Sequence, residues 1–311
     1  MKKSMKRLLI VLAILLLLFL GVSWFIGHQI VLASTNLVTN EQTMALYEGS
    51  WALEGFDFDS FSAAYHIQPL ALDSSLDGHH LPFDLITADG NRDIVVMAHG
   101  MMGNRLTNYP TAQIFLENGC NVITYDQRSS GGNEAQGSTF GYLEKYDLTD
   151  CVQYARQHFP DARIFVWGES FGGATALLAA AQESVQQELS GLILDCPVSS
   201  MAYMVQASME EMGIPLPMGY LLACGNLVNQ MELHFSYADV DCAGAAAHIT
   251  VPTLVFRSMA DTITPAFMGE EIYNRLASPR KELYTSQSCE HIEIRNHERE
   301  AYTEKVASWI R

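Results

Sequence analysis

The sequence predicts an α/β fold: a mostly parallel central sheet with helices on both faces, a helical insertion late in the chain, and one transmembrane helix ahead of it all. Three observations carry this expectation. Short apolar runs alternate with helical patterns from Ile94 onward, as in strands joined by crossover helices. One strand–helix joint is the very tight Gly168-Glu169-Ser170-Phe171-Gly172. Residues 8–26 are almost wholly apolar, close to the roughly twenty needed to cross a bilayer as a helix.

In chain order, Lys2, Lys3, Lys6 and Arg7 precede the apolar run and every acidic residue. Basic residues on that side predict a cytoplasmic tail over 1–7, a signal-anchor helix over 8–30, and a body outside the cell. A cleaved signal peptide is the competing reading, because Val31-Leu32-Ala33 resembles a small-residue cleavage site. The length of the apolar run favours a retained anchor. Trp24 and His28 fit its far interface. A helical lead-in over 31–66 follows, with Trp51, Phe56, Phe58 and Phe61 placed to pack on the core or a membrane face.

The body over 67–311 opens with strand signals at 67–71 and 81–87, and Asp89-Gly90 makes a turn. Strand 94–98, a helix near 107–118, strand 122–125, a helix near 146–158 and strand 164–167 come next. A helix follows Ser170. Strands at 192–194, 251–257 and 281–284 complete the pattern. Residues 199–248 break the rhythm with six methionines, from Met201 to Met231, and with Tyr203, Tyr220, Phe235 and Tyr237. An insertion there is expected to form a lid, and flexible methionine side chains would suit varied apolar chains. Ordinary helix packing accounts for those methionines equally well.

A serine at the apex of a strand–turn–helix joint is held in a strained conformation and exposed at the end of the sheet. Its glycine neighbours leave room that a Cβ would fill. A serine hydroxyl becomes a nucleophile only when a base takes its proton. That base is commonly a histidine oriented by a buried carboxylate. In the order serine, acid, histidine, Asp261 stands just past strand 251–257, and Asp195, at the end of strand 192–194, is its rival. Only His291 and His297 follow Asp261. His291 lies in the loop after a strand, whereas His297 falls among charged residues of a surface helix. The N–H groups of Met101, in the loop after strand 94–98, and of Phe171 are the expected oxyanion donors. His99 reads as a structural imidazole.

These residues resemble those of the α/β-hydrolase superfamily, in its serine aminopeptidase-like (S33-type) group, and in particular bacterial membrane-anchored hydrolases related to the depalmitoylase branch. The matching pieces are His99-Gly100-Met101-Met102-Gly103-Asn104, Tyr125-Asp126-Gln127-Arg128, residues 141–147, the serine turn, Asp261 with Pro265, and His291. The resemblance implies an α/β-hydrolase fold with a lid insertion at about 199–248. It implies a serine hydrolase that cleaves a carboxylic ester or thioester through a Ser170–His291–Asp261 triad and an acyl-enzyme. A serine aminopeptidase acting on short peptides, with Glu210-Glu211 as a pocket for the amine, is the alternative. A non-catalytic, surface-anchored binding protein is the reading from another class. Two features depart from the family pattern: Arg257-Ser258-Met259-Ala260 stands where a glycine-containing loop is usual, and Gly132 follows the Asp126–Gly131 segment.

Composition bounds the partners. A net charge of −17 argues against nucleic acid, since phosphate contacts need clustered Lys and Arg. Leaving out the four leading basic residues leaves 14 against 35 acidic ones, or −21, so the body is repelled by anionic lipid. The expected partners are a small ester, thioester or peptide substrate and, through the N-terminal helix, the membrane. No Cys/His spacing for a metal occurs, and neither metal nor organic cofactor is expected. Cys224 and Cys242 form a possible disulfide pair.

Overall fold

The computed structural model describes residues 2–311. The chain forms two compact units, one made of the segment to Leu37 together with Met201–Asp239, the other of Val38–Ser200 with Val240–Arg311.

The elements in chain order begin with α1 (Lys2–Thr35), α2 (Asn40–Glu54), α3 (Phe58–Ala64), β1 (His66–Asp73), β2 (His80–Thr87), β3 (Asp93–Ala98), α4 (Tyr109–Leu116) and β4 (Cys120–Tyr125). Then come α5 (Glu144–His158), β5 (Ile164–Glu169), α6 (Ser170–Ala180), α7 (Glu183–Gln186), β6 (Leu189–Asp195), α8 (Met201–Glu211), α9 (Met218–Glu232) and α10 (Cys242–Ala246). The chain closes with β7 (Thr253–Ser258), α11 (Ala266–Arg275), β8 (Lys281–Ser286), α12 (Ile294–His297) and α13 (Arg299–Ile310).

In the larger unit the eight strands form one sheet in the order β1-β2-β4-β3-β5-β6-β7-β8. The pairs β1–β2 and β2–β4 are antiparallel, and every pair from β4 onward is parallel. Strands β4 and β5 are buried at every position, as expected of strands covered on both faces. Helices α4 and α13 pack together, while α5, α6, α10 and α11 form a second contiguous set. The core is filled by Trp167, Phe165, Phe256, Phe115 and Tyr302, and the Trp167 indole N–H donates to the Tyr302 hydroxyl at 2.9 Å. The lead-in aromatics join this core. Phe61 is buried, and Trp51 stacks on Phe58 and Tyr109 and donates to the Leu106 carbonyl.

Differences from the sequence expectation are local. The helix expected from 107 begins at Tyr109, because Asn104 caps a separate 3-10 turn at Arg105–Asn108 and Pro110 sits in the first turn of α4. His297 ends the short α12 instead of opening the last helix. All six cysteines are free thiols.

In the smaller unit α1 packs along α9. Gly27 allows the approach, since a Cβ there would meet the Cys224 carbonyl and, at 2.5 Å, the Val228 side chain. Gly225 does the same toward Ile30. The Ser23 and Tyr220 hydroxyls lie 2.7 Å apart, and His28 Nδ1 lies 2.9 Å from Glu232 Oε1. Residues 8–20 of α1 are largely exposed. By length and composition α1 qualifies as a membrane-crossing helix, a test a signal sequence would also pass.

Candidate functional site

Ser170 sits where β5 becomes α6, with φ at 51°. A non-glycine residue rarely takes that conformation, and here the surroundings impose it. A Cβ on Gly168 would meet the Gly172 backbone and, at 2.9 Å, Ala176. One on Gly172 would run into the Ala98 and His99 carbonyls at the end of β3. Only glycine lets helix and strand come this close, and the squeeze turns the Ser170 side chain out of the sheet.

The loop after β8 brings His291 to it. Ser170 Oγ lies 2.8 Å from His291 Nε2, and His291 Nδ1 lies 2.7 Å from Asp261 Oδ2. The loop after β7 holds Asp261 from the other side. The backbone N–H groups of Ile263 and Thr264 donate to Oδ1 at 2.9 and 2.8 Å. The Thr264 hydroxyl lies 2.9 Å from Oδ2, 3.0 Å from the Cys196 carbonyl and 3.1 Å from His291 Nδ1. Burial raises the Asp261 carboxyl, but His291 and these donors more than offset it and leave its pKa below the usual value. The carboxylate is therefore ionised and fixed at neutral pH. Thr264 was not singled out from the sequence, although Asp261-Thr262-Ile263-Thr264-Pro265 carries the signal of an Asp followed by a self-capping turn.

The other site residues fall as follows. Asp195 lies at the end of β6, fully buried, and accepts no hydrogen bond of ordinary geometry. His297 is exposed and lies 3.3 Å from Glu293, the residue just ahead of its own short helix. His99 is buried: its Nδ1 lies 2.7 Å from the Gly100 carbonyl, and its Nε2 accepts the Gln127 N–H at 3.0 Å. Burial lowers its pKa, so it is a neutral strut between two loops. The Gly100 N–H is taken by Glu169 Oε1 at 3.1 Å. That leaves the next amide in the loop, Met101, without an acceptor among the described residues, and the same holds for Phe171 in the first turn of α6.

Glu169 belongs to an ion network that the sequence did not announce. Arg295, 5% exposed, pairs with Glu169 and, at 3.2 Å, with Glu54 of α2. It ties the lead-in to the residue beside Ser170. Cys196 Sγ, an Asp261 oxygen and a His291 nitrogen lie within 4.8 Å of one another. Two of the three atoms are committed to each other, since His291 Nδ1 lies 2.7 Å from Asp261 Oδ2, and burial raises the Cys196 thiol well above its usual pKa.

Residues 93–217 match the family model described as alpha/beta hydrolase fold. The uncharacterized protein YqkD of Bacillus subtilis is 25% identical over 81% of each chain. The proline iminopeptidase of Saccharolobus solfataricus is 32% identical over 37% of this chain and 36% of its own. Among solved structures, the Pyrococcus furiosus esterase Pf2001 superposes with a TM-score of 0.65 at 20% identity, covering 82% of this chain and 95% of that one. A serine on a strand–helix turn at the carboxyl edge of an eight-stranded, mostly parallel sheet, together with these likenesses, gives this chain the α/β-hydrolase fold.

Proposed function

We propose that this protein is a serine hydrolase that cleaves a carboxylic ester or thioester through an acyl-enzyme. The observation that carries the reading is the unbroken hydrogen-bonded series from Ser170 Oγ through His291 to Asp261. In it, Ser170 Oγ attacks the substrate carbonyl while its proton passes to His291 Nε2. Asp261 stabilises the imidazolium and keeps Nε2 aimed at the serine. The amides of Met101 and Phe171 receive the oxyanion. His291 then gives its proton to the leaving group, the acyl-enzyme forms, and a water deprotonated by His291 releases the acid. Every proton is carried by residues of this chain.

The likeness to esterases and the methionines of the insertion support an apolar acyl group. We place α1 across the membrane, with the basic tail in the cytoplasm and the hydrolase body outside. The segment shared with a proline iminopeptidase supports a second reading, cleavage of an N-terminal residue from short peptides.

The test is hydrolysis of p-nitrophenyl esters of increasing acyl length by the full chain in detergent. Ser170→Ala is expected to lower turnover by a thousandfold or more and to leave the thermal transition in place. Serine-independent turnover across the whole series would refute the esterase. Turnover confined to aminoacyl-p-nitroanilides would move the assignment to the peptidase.

A further inference from the structure

We infer that the turn joining α8 and α9 is a lipid-inserting tip, held in the outer leaflet by the packing of α9 on α1. The inference rests on the reading of α1 as a retained membrane anchor and adds a second point of bilayer contact, in the insertion.

Depth is set by helix pairing. Ser23 meets Tyr220, Gly27 meets Cys224, and Ile30 meets Gly225, so the two helices run in the same direction. With Leu8 at the inner edge of the hydrocarbon, Ser23 lies about 22 Å along α1 at 1.5 Å per residue. The hydrocarbon is about 30 Å thick, so Tyr220 falls near the outer interface, where Trp24 also sits. The residues before Tyr220 then point further into the bilayer. The contact of His28 Nδ1 with Glu232 Oε1 lies on the opposite, water side.

The chemistry of the turn fits lipid. No charged residue occurs from Gly213 to Met231. Met212 is 59% exposed and Leu216 42% exposed, and the apolar side chains of α1 from Leu8 to Leu20 are exposed as well. Lipid penalises unsatisfied backbone N–H groups, and this turn has few. Pro215 and Pro217 have none, Leu216 donates to the Ile214 carbonyl at 2.8 Å, and Met212 and Gly213 donate back into α8. Glu210 and Glu211 at the end of α8 confine the tip to the outer leaflet, because charged side chains are costly further into the hydrocarbon. The close packing around Gly27 and Gly225 also needs α1 in place, so a processed chain without it would leave the inner face of α9 bare.

The experiment places a single added cysteine at Leu216, and in a second variant at Met212, with Gln230→Cys as the reference above the interface. Each variant of the full chain is labelled with an environment-sensitive nitrobenzoxadiazole in phosphatidylethanolamine–phosphatidylglycerol vesicles. The unsubstituted protein, with its six buried thiols, sets the background. Labels at 212 and 216 should be quenched by nitroxide lipids and be at least fivefold less accessible to iodide than the label at 230. Equal iodide quenching at all three positions overturns the inference. The same preparation is washed with carbonate and its intact mass taken. A chain that washes off or has lost α1 sinks the anchor reading and this inference with it, whereas a retained chain with water-exposed labels sinks the inference alone.

Discussion

Two adjacent strands, β6 and β7, deliver an aspartate to the same edge of the sheet and treat it in opposite ways. Asp261, after β7, lies in a turn that folds back on its carboxylate with two backbone amides, a hydroxyl and an imidazole. Its pKa falls below the usual value despite burial. Asp195 ends β6 where the strand is still paired, at a point where no amide turns toward it. Burial pushes it up to about 6, with Arg295 opposing the shift and Glu169 adding to it. Burial at a strand end therefore does not hold a carboxylate ionised; a loop that returns its own N–H groups to it does.

The largest effect expected from this contrast is on turnover. Asp261→Asn should lower kcat for a p-nitrophenyl ester by about ten-thousandfold, because the amide favours the wrong imidazole tautomer and cannot stabilise the imidazolium. Asp195→Asn should change kcat by less than about threefold, since it touches neither His291 nor Ser170. Comparable losses in both variants would break the distinction between the two strand ends.

A smaller effect tests what the β7 loop adds. Thr264→Val removes the hydroxyl beside Asp261 Oδ2 and His291 Nδ1 but keeps the shape. A hydrogen bond to a charged group is worth about 1.5–3 kcal/mol, so kcat should fall about tenfold or somewhat more with KM little changed. Thr264→Ser should restore most of it. A valine variant with full kcat would show that the two amides alone suffice to hold Asp261.

What the sequence could reveal divides along similar lines. Strands β3 to β7 and the Ser170 turn were legible because apolar runs and glycines report local burial and close approach, and because Ser170, Asp261 and His291 fall in the order this fold requires. Thr264 escaped notice because its role depends on the turn that Asp261 itself nucleates. Arg295 is a stronger case. Its neighbours Glu298, Arg299 and Glu300 make the segment read as a solvated helix, yet its guanidinium is buried between Glu169 and Glu54, partners 126 and 241 residues away. No local pattern reports a pairing of that span. The α1–α9 packing is hidden for the same reason: Gly27 and Gly225 look like ordinary apolar-helix glycines until the two helices are seen together.

The smallest effect is in stability, and its sign separates the two aspartates most cleanly. Asp195 has a folded pKa of about 6, above the roughly 3.9 of an unfolded chain. The folded state binds that proton more tightly, so the contribution of Asp195 to stability is full below about pH 4 and is lost as pH rises toward 6. Asp261 is lowered, so its contribution is present above the unfolded value and is lost as pH falls through the folded one. Thermal transitions followed by circular dichroism at pH 3, 4, 5, 6 and 7 should therefore diverge in separate windows. Relative to the unsubstituted protein, Asp195→Asn should gain Tm as pH rises from 4 to 6, and Asp261→Asn should lose Tm as pH rises from 3 to about 4 and then hold level. Parallel trends would mean that Arg295 neutralises Asp195 in the folded state, and that the two strand ends differ in geometry but not in charge.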